Sequence, residues 1–260
     1  MKMLNADRYN GFSLLEMVVV LAVISLLLAG LLVPLTTQVN QRQISETQKA
    51  LDEIREALIG FALANGRLPC PAVSTSAGAE SYVGAIGASA CTSNYQGFVP
   101  AVTLGITPVD SQGFAVDSWG NRIRYAVTAW MPSTGPSCIA AVPPFTTTGG
   151  MSAYFSCPLA PNLLVCSTAT GITGSSCAAG TALTTGVPAV IYSTGKNGGY
   201  GGTGADETAN PNPNSANNDR VFVSHTPAGA TAPNGEFDDV VVWLSDNVLY
   251  NRMVAAGKLP

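Results

Sequence analysis

Met17 to Leu35 reads MVVVLAVISLLLAGLLVPL, nineteen residues without a charge. That run is at the length limit for a membrane-spanning helix, and it constrains everything before and after it. One carboxylate, Glu16, sits at its N-terminal edge, behind a short polar leader, Met1 to Gly11, that holds Lys2 and Arg8 against Asp7. An ordinary secretory signal is cut after its apolar stretch, beside small residues. Here the small residue, Gly11, comes first. A cut between Gly11 and Phe12 removes the leader alone and leaves the apolar helix on the mature chain.

Gly11-Phe12-Ser13-Leu14-Leu15-Glu16 ahead of that run resembles the class III signal of type IV pilins and type II secretion pseudopilins. The resemblance implies cleavage after Gly11 by prepilin peptidase and methylation of the new amine on Phe12. It implies that Glu16 sets register during filament assembly. The partners it implies are other pilin or pseudopilin subunits, the peptidase, and the inner-membrane assembly platform with its ATPase. The electrostatics agree. An acidic residue costs about 2.5–3.5 kcal/mol at the centre of a membrane helix and less near its end. A neighbour's cationic N-terminal amine offsets that cost, because buried charges persist when paired.

The chain carries Lys+Arg 12 against Asp+Glu 16, so no broad phosphate-binding surface and no nucleic-acid partner are expected. Only 11% of residues are charged, which suits an exported, loop-rich domain. Basic residues in the leader keep it inside and send the C-terminal domain outward. The expected location is the bacterial inner membrane, single-pass, with the domain in the periplasm. Cys70, Cys91, Cys138, Cys157, Cys166 and Cys177 all lie in that exported part. An even count there reads as disulfides, and pairing between sequence neighbours is favoured. With one histidine and no C-x-x-C, zinc lacks its ligand spacing.

Beyond the membrane the helix is expected to continue to Asn65. Leu51, Ile54, Leu58 and Phe61 form one apolar stripe, opposite Lys49, Asp52, Glu53, Arg55 and Glu56. Asn65-Gly66 stops it, with Pro69 just beyond. From Phe12 to Ala64 an unbroken helix is about 80 Å long, although Gly30 and Pro34 invite a kink. The division expected is leader 1–11, membrane and filament-core helix 12–35, amphipathic continuation 36–65 and exported domain 66–260. Residues 66–116 read as a connection with little regular structure, opening on Gly66-Arg67-Leu68-Pro69, which resembles the pseudopilin "GRxP" step. Asp117-Ser118-Trp119-Gly120-Asn121, which again resembles type II secretion pseudopilins, turns into a strand from about Arg122 to Trp130. The stretch 133–186 reads as a cysteine-rich insertion. Short strands follow at 187–194 and 220–225, then a central one at 239–245 and a short helix over 246–257 capped by Asp246 or Asn247. The fold expected is α+β: a pilin fold, with a long N-terminal helix packed on an antiparallel sheet and loops stapled by disulfides.

Gly195 to Gly202 is the glycine-dense loop. It lacks the G-x-x-x-x-G-K-[ST] spacing of a phosphate cradle and resembles the loop that precedes calcium-binding acids in major pseudopilins. Calcium wants six to eight oxygens, and Asp206, Glu207, Asp219, Asp238 and Asp239 are available. Asn-Pro-Asn-Pro-Asn at 210–214 interrupts that cluster, so an uncharged Gly/Asn loop without a cofactor is the reading favoured over calcium. Asp238 and Asp239, adjacent in a predicted strand, point to opposite faces and make no acid/base pair. His225 reads as structural, and no G-x-S-x-G occurs. No enzyme is expected. The function implied is a type II secretion pseudopilus subunit, with a minor type IV pilin acting as a binding module as the alternative.

Overall fold

The computed structural model describes residues 13–129, 145–152, 161–199, 202–210 and 219–259, with residues 28–37 described by their backbone alone. The chain divides into two compact units, 1–43 and 44–260. Helix α1, Leu14–Asn65, runs through Gly30 and Pro34 without a break in its helical assignment and supplies residues to both. In the first unit its described apolar side chains are bare, with Leu14 at 86% exposure and Leu26 at 77%. Among the described residues no helix is long and apolar enough to cross a membrane. The described side chains of the apolar run end at Leu27.

The second unit is built on the last turns of α1. Leu51, Ile54, Leu58, Ile59 and Ala62 are all buried in one cluster. The stripe expected from spacing is therefore corrected at its end. Phe61 is half-buried, and the Arg67 guanidinium lies 5.0 Å from its ring centroid. The outward face carries the ion pairs Lys49–Glu53 and Arg55–Asp52, and Glu56 meets Arg252.

That stripe packs on a four-stranded sheet ordered β1 (Gly97–Phe98), β2 (Arg124–Val127), β5 (Ala189–Ser193), β7 (Val240–Leu244), antiparallel throughout. Strand side chains alternate between faces. Tyr125, Val127, Ala189, Ile191, Val240, Val242 and Leu244 join the helix, whereas Ala126, Val190 and Tyr192 join a second cluster behind the sheet. That cluster is closed by a three-stranded sheet ordered β4 (Ala182–Val187), β3 (Leu163–Cys166), β6 (Val221–Val223). Leu163, Val165, Val187 and Phe222 face Val190 and Tyr192. Being buried on both faces, β5 reads as an unbroken apolar run.

Several expectations change. The strand predicted over 122–130 is four residues, β2, and β7 ends the described sheet instead of lying at its centre. β7 is apolar because both its faces are covered, which sequence alone does not separate from a central position. β3 and β6 pair in parallel, a geometry that needs a long crossover connection and that the intervening chain supplies. Residues 66–116 contain only β1 and the single turn α2 (Ala101–Leu104) as regular elements. Helix α4, Asp246–Ala255, is capped at Ser245, one residue before the expected cap, without a side-chain cap hydrogen bond. Disulfides join Cys70 to Cys91 and Cys166 to Cys177, both between sequence neighbours. Cys138 and Cys157 lie outside the described residues.

Candidate functional site

Two places gather the residues singled out in the sequence. The first is the start of α1. Gly11 and Phe12 lie outside the described residues, but Ser13 and Glu16 do not. The Ser13 N–H donates to Glu16 Oε2 at 3.0 Å, and the Glu16 N–H donates to Ser13 Oγ at 3.2 Å. This reciprocal pair is a capping box, which satisfies two backbone donors that a helix start leaves orphaned. The carboxylate also complements the positive end of the helix dipole. The signal was present as Ser13-Leu14-Leu15-Glu16, the S-x-x-E spacing of such a box. It is missed when Glu16 is weighed only as a charge in a membrane. A chain cut before Phe12 begins one residue ahead of an amide already bonded to this carboxylate.

The second place is the glycine-rich loop that begins at Gly195. Asp117 Oδ1 accepts the N–H groups of Trp119 and Asn121 at 2.9 and 2.8 Å, closing the turn. Its Oδ2 accepts the Ser193 hydroxyl at 2.5 Å, and Ser193 Oγ accepts the Gly195 N–H at 3.1 Å. Gly195 has φ +61°, a left-handed value that favours glycine, and a Cβ there runs into the Asp238 carboxylate. The loop therefore lies with its backbone against acidic side chains. The uncharged side chains of the Gly/Asn loop thus face acids that come from other segments.

Those acids are Glu207, Asp238 and Asp239, which bring one carboxylate oxygen each within 4.8 Å of one another. Glu207, on the short helix α3 (Ala205–Ala209), is buried and accepts Asn197 Nδ2 on both oxygens at 3.0 Å. Asp238 accepts the N–H groups of Lys196 and Asn197 on Oδ2 at 3.1 and 3.4 Å. Asp239 Oδ2 accepts Asn210 Nδ2 at 2.7 Å. Both aspartates precede β7 instead of lying within it, so strand alternation does not separate them and they reach one cluster.

Burial, with Glu207 close by, pushes Asp238 up to about 6. Burial pushes Asp239 to about 8 against the Asn210 hydrogen bond that favours its charge. Asp238 Oδ1 and Asn197 Oδ1 are buried atoms without a hydrogen-bond partner. Crowded carboxylates with orphaned oxygens beside them make an all-oxygen donor set, which fits calcium better than a softer metal. Glu207, Asp238, Asp239 and Asn197 are the residues that would hold it.

The remaining acids go elsewhere. Asp219 Oδ1 accepts the Val221 N–H at 3.1 Å. Asp206 is buried among Ala169 N–H (2.5 Å), Thr168 Oγ1, Asn234 Nδ2 and His225 Nε2 (3.1 Å). Burial raises its pKa, but these donors outweigh burial and hold it below the usual carboxylate value. His225 stacks on Phe237 at 3.9 Å, a structural placement.

No curated protein and no solved structure matches the chain. Residues 7–32 match the family described as the prokaryotic N-terminal methylation motif. Ahead of a pilin-like α+β domain, the N-terminal segment thus carries the class III signal of the type IV pilin and pseudopilin superfamily.

Proposed function

We propose that the protein is a prepilin-type filament subunit, a pseudopilin of a type II secretion system. Prepilin peptidase cuts it after Gly11 and methylates Phe12. It waits in the inner membrane with residues 12–35 as its anchor and is drawn into a periplasmic pseudopilus by the assembly platform and its ATPase. The observation that carries this reading is Glu16, set by its capping box at the head of a bare apolar helix inside the methylation motif. A single carboxylate at that level has a use when a neighbour's amine meets it. The grip of the Asp117–Asn121 turn on the glycine loop over buried acids supports the pseudopilin branch, because both motifs resemble that branch.

One observation favours the alternative, a minor type IV pilin that serves as a binding module. The β4-β3-β6 sheet and the Cys166–Cys177 loop add a second layer to the domain, an elaboration that suits display at a filament. Shear fractionation of producing cells decides between the two. The pseudopilin reading expects the processed protein in the membrane fraction and none in sheared fibres. Recovery in sheared surface fibres overturns it in favour of the pilin.

A further inference from the structure

The loop between β3 and β4 is closed at its root by Cys166–Cys177. No residue from 167 to 176 is buried, so the loop has little apolar packing of its own to hold its shape. It nevertheless grips the domain interior. The Ala169 N–H and the Thr168 hydroxyl donate to Asp206 Oδ1, and Asn234 Nδ2 bonds both Thr168 Oγ1, at 2.7 Å, and Asp206. Asp206 is 4% exposed and adjoins Glu207 on α3. The Ala205 N–H at the start of α3 donates to the Asn234 carbonyl oxygen at 2.7 Å. The disulfide loop, Asp206 and α3 form one hydrogen-bonded line ending at the acidic pocket.

The two described bridges differ in access. Cys70 and Cys91 are both buried, at 0% and 5% exposure, whereas Cys177 is half-buried beside the buried Cys166. Thiol–disulfide exchange needs a thiolate to reach one sulfur, and Cys177 is the most exposed of these four cysteines.

We propose that Cys166–Cys177 is a redox-sensitive strap whose reduction frees α3 and the Glu207 side of the pocket. The reductant is a dithiol. Its thiolate attacks Cys177 Sγ, Cys166 leaves as a thiolate and takes a proton, and the dithiol's second thiol resolves the mixed disulfide. The dithiol ends as a disulfide, and Cys166 and Cys177 end as two thiols. The loop then loses its closure and, with it, its hold on Asp206. The proposal stands whether or not the pocket carries a cation.

The test is a stepwise dithiothreitol titration of the full-length protein in detergent, with alkylated cysteines mapped by mass spectrometry and amide exchange followed on the same samples. Cys166 and Cys177 are expected to alkylate before Cys70 and Cys91. At that step the Thr208 amide of α3 and the Asn210 amide at its C-cap are expected to exchange about tenfold faster or more, the effect of losing a charge-assisted hydrogen bond, while Ile191 in the sheet is unchanged. Asp206→Asn, with the disulfide intact, is expected to speed the same two amides. Opening of Cys70–Cys91 first or simultaneously overturns the proposal. So do unchanged α3 amides once Cys166–Cys177 is reduced, or an Asp206→Asn protein that exchanges like the parent.

Discussion

Asn121 Nδ2 donates to the carbonyl oxygen of Gly195 at 2.6 Å, across 74 residues of sequence. With Asp117 bonded to Ser193 on the same strand end, two residues of one turn fix the mouth of the glycine-rich loop. Asn121→Ala removes the donor and leaves the carbonyl of the buried Gly195 with only the long Gly198 N–H contact at 3.5 Å, which costs about 1–3 kcal/mol. Urea denaturation is expected to show that loss, together with faster amide exchange at residues 195–198. A variant as stable as the parent, with the loop equally protected, would remove the clamp from the account.

That relationship also shows what sequence reading reaches. The turn was visible as Asp117, Gly120 and Asn121, and the helix face as Leu51, Ile54 and Leu58, because both are local patterns of spacing. The acidic pocket was not. Glu207 and Asp238 stand 31 residues apart and meet only after α3 docks and β7 joins the sheet. The sequence listed five candidate acids without separating the three that converge from Asp206, whose donors lie on other segments, and Asp219, which accepts the Val221 N–H two residues along. The second sheet was equally hidden, since a parallel pair such as β3 and β6 leaves no turn signal between its strands.

Arg67 and Glu80 form a two-pronged pair, with both guanidinium nitrogens at 2.8 Å from the carboxylate oxygens and both side chains 7% exposed. Arg67 also donates to Tyr82 Oη at 2.7 Å, which in turn donates to the Thr146 carbonyl oxygen. Removing one partner strands a buried charge, so Arg67→Ala is expected to cost about 3–5 kcal/mol. Lysine keeps the charge without the fork, so Arg67→Lys is expected to recover less than half of that loss in thermal unfolding. Full recovery by lysine would mean that the charge alone matters.

The pocket gives the domain an unusual pH response. An acid whose folded pKa is raised binds more protons folded than unfolded between the two values. Stability therefore falls as pH rises from about 4, the ordinary carboxylate value, toward about 8 for Asp239. Asp117 and Asp219, also raised by burial against their hydrogen bonds, act in the same direction. Asp206, held low, acts oppositely, and its contribution is lost as pH falls below about 4. In the presence of a chelator, the urea midpoint is expected to be higher at pH 5 than at pH 8, and Asp239→Asn to flatten that slope. Calcium chloride is expected to raise the pH 8 midpoint more than the pH 5 midpoint, since protons compete with the cation. A chelated protein that gains stability from pH 5 to pH 8 would contradict the sign of the argument.

The proposed function gives Glu16 a second role beside its helix cap, and one substitution tells the two apart. As the N3 residue of a capping box it needs only an acceptor oxygen, which glutamine supplies. As the partner of a neighbour's Phe12 amine it needs a charge, which glutamine lacks. Glu16→Gln and Glu16→Ala are therefore expected to behave alike in assembly and differently in the free subunit. Both should be cleaved after Gly11 yet fail to appear in filaments, because the unpaired amine remains costly in an apolar bundle. In the isolated subunit, Ala is expected to fray the first turn of α1 by about 1 kcal/mol while Gln holds it. The readouts are the yield of crosslinked multimers in the membrane fraction, where the pseudopilus is expected, and amide exchange at Glu16 and Met17, whose N–H groups bond Ser13. Normal filament yield from Glu16→Gln would reduce the residue to a helix cap and take the charge pairing out of assembly.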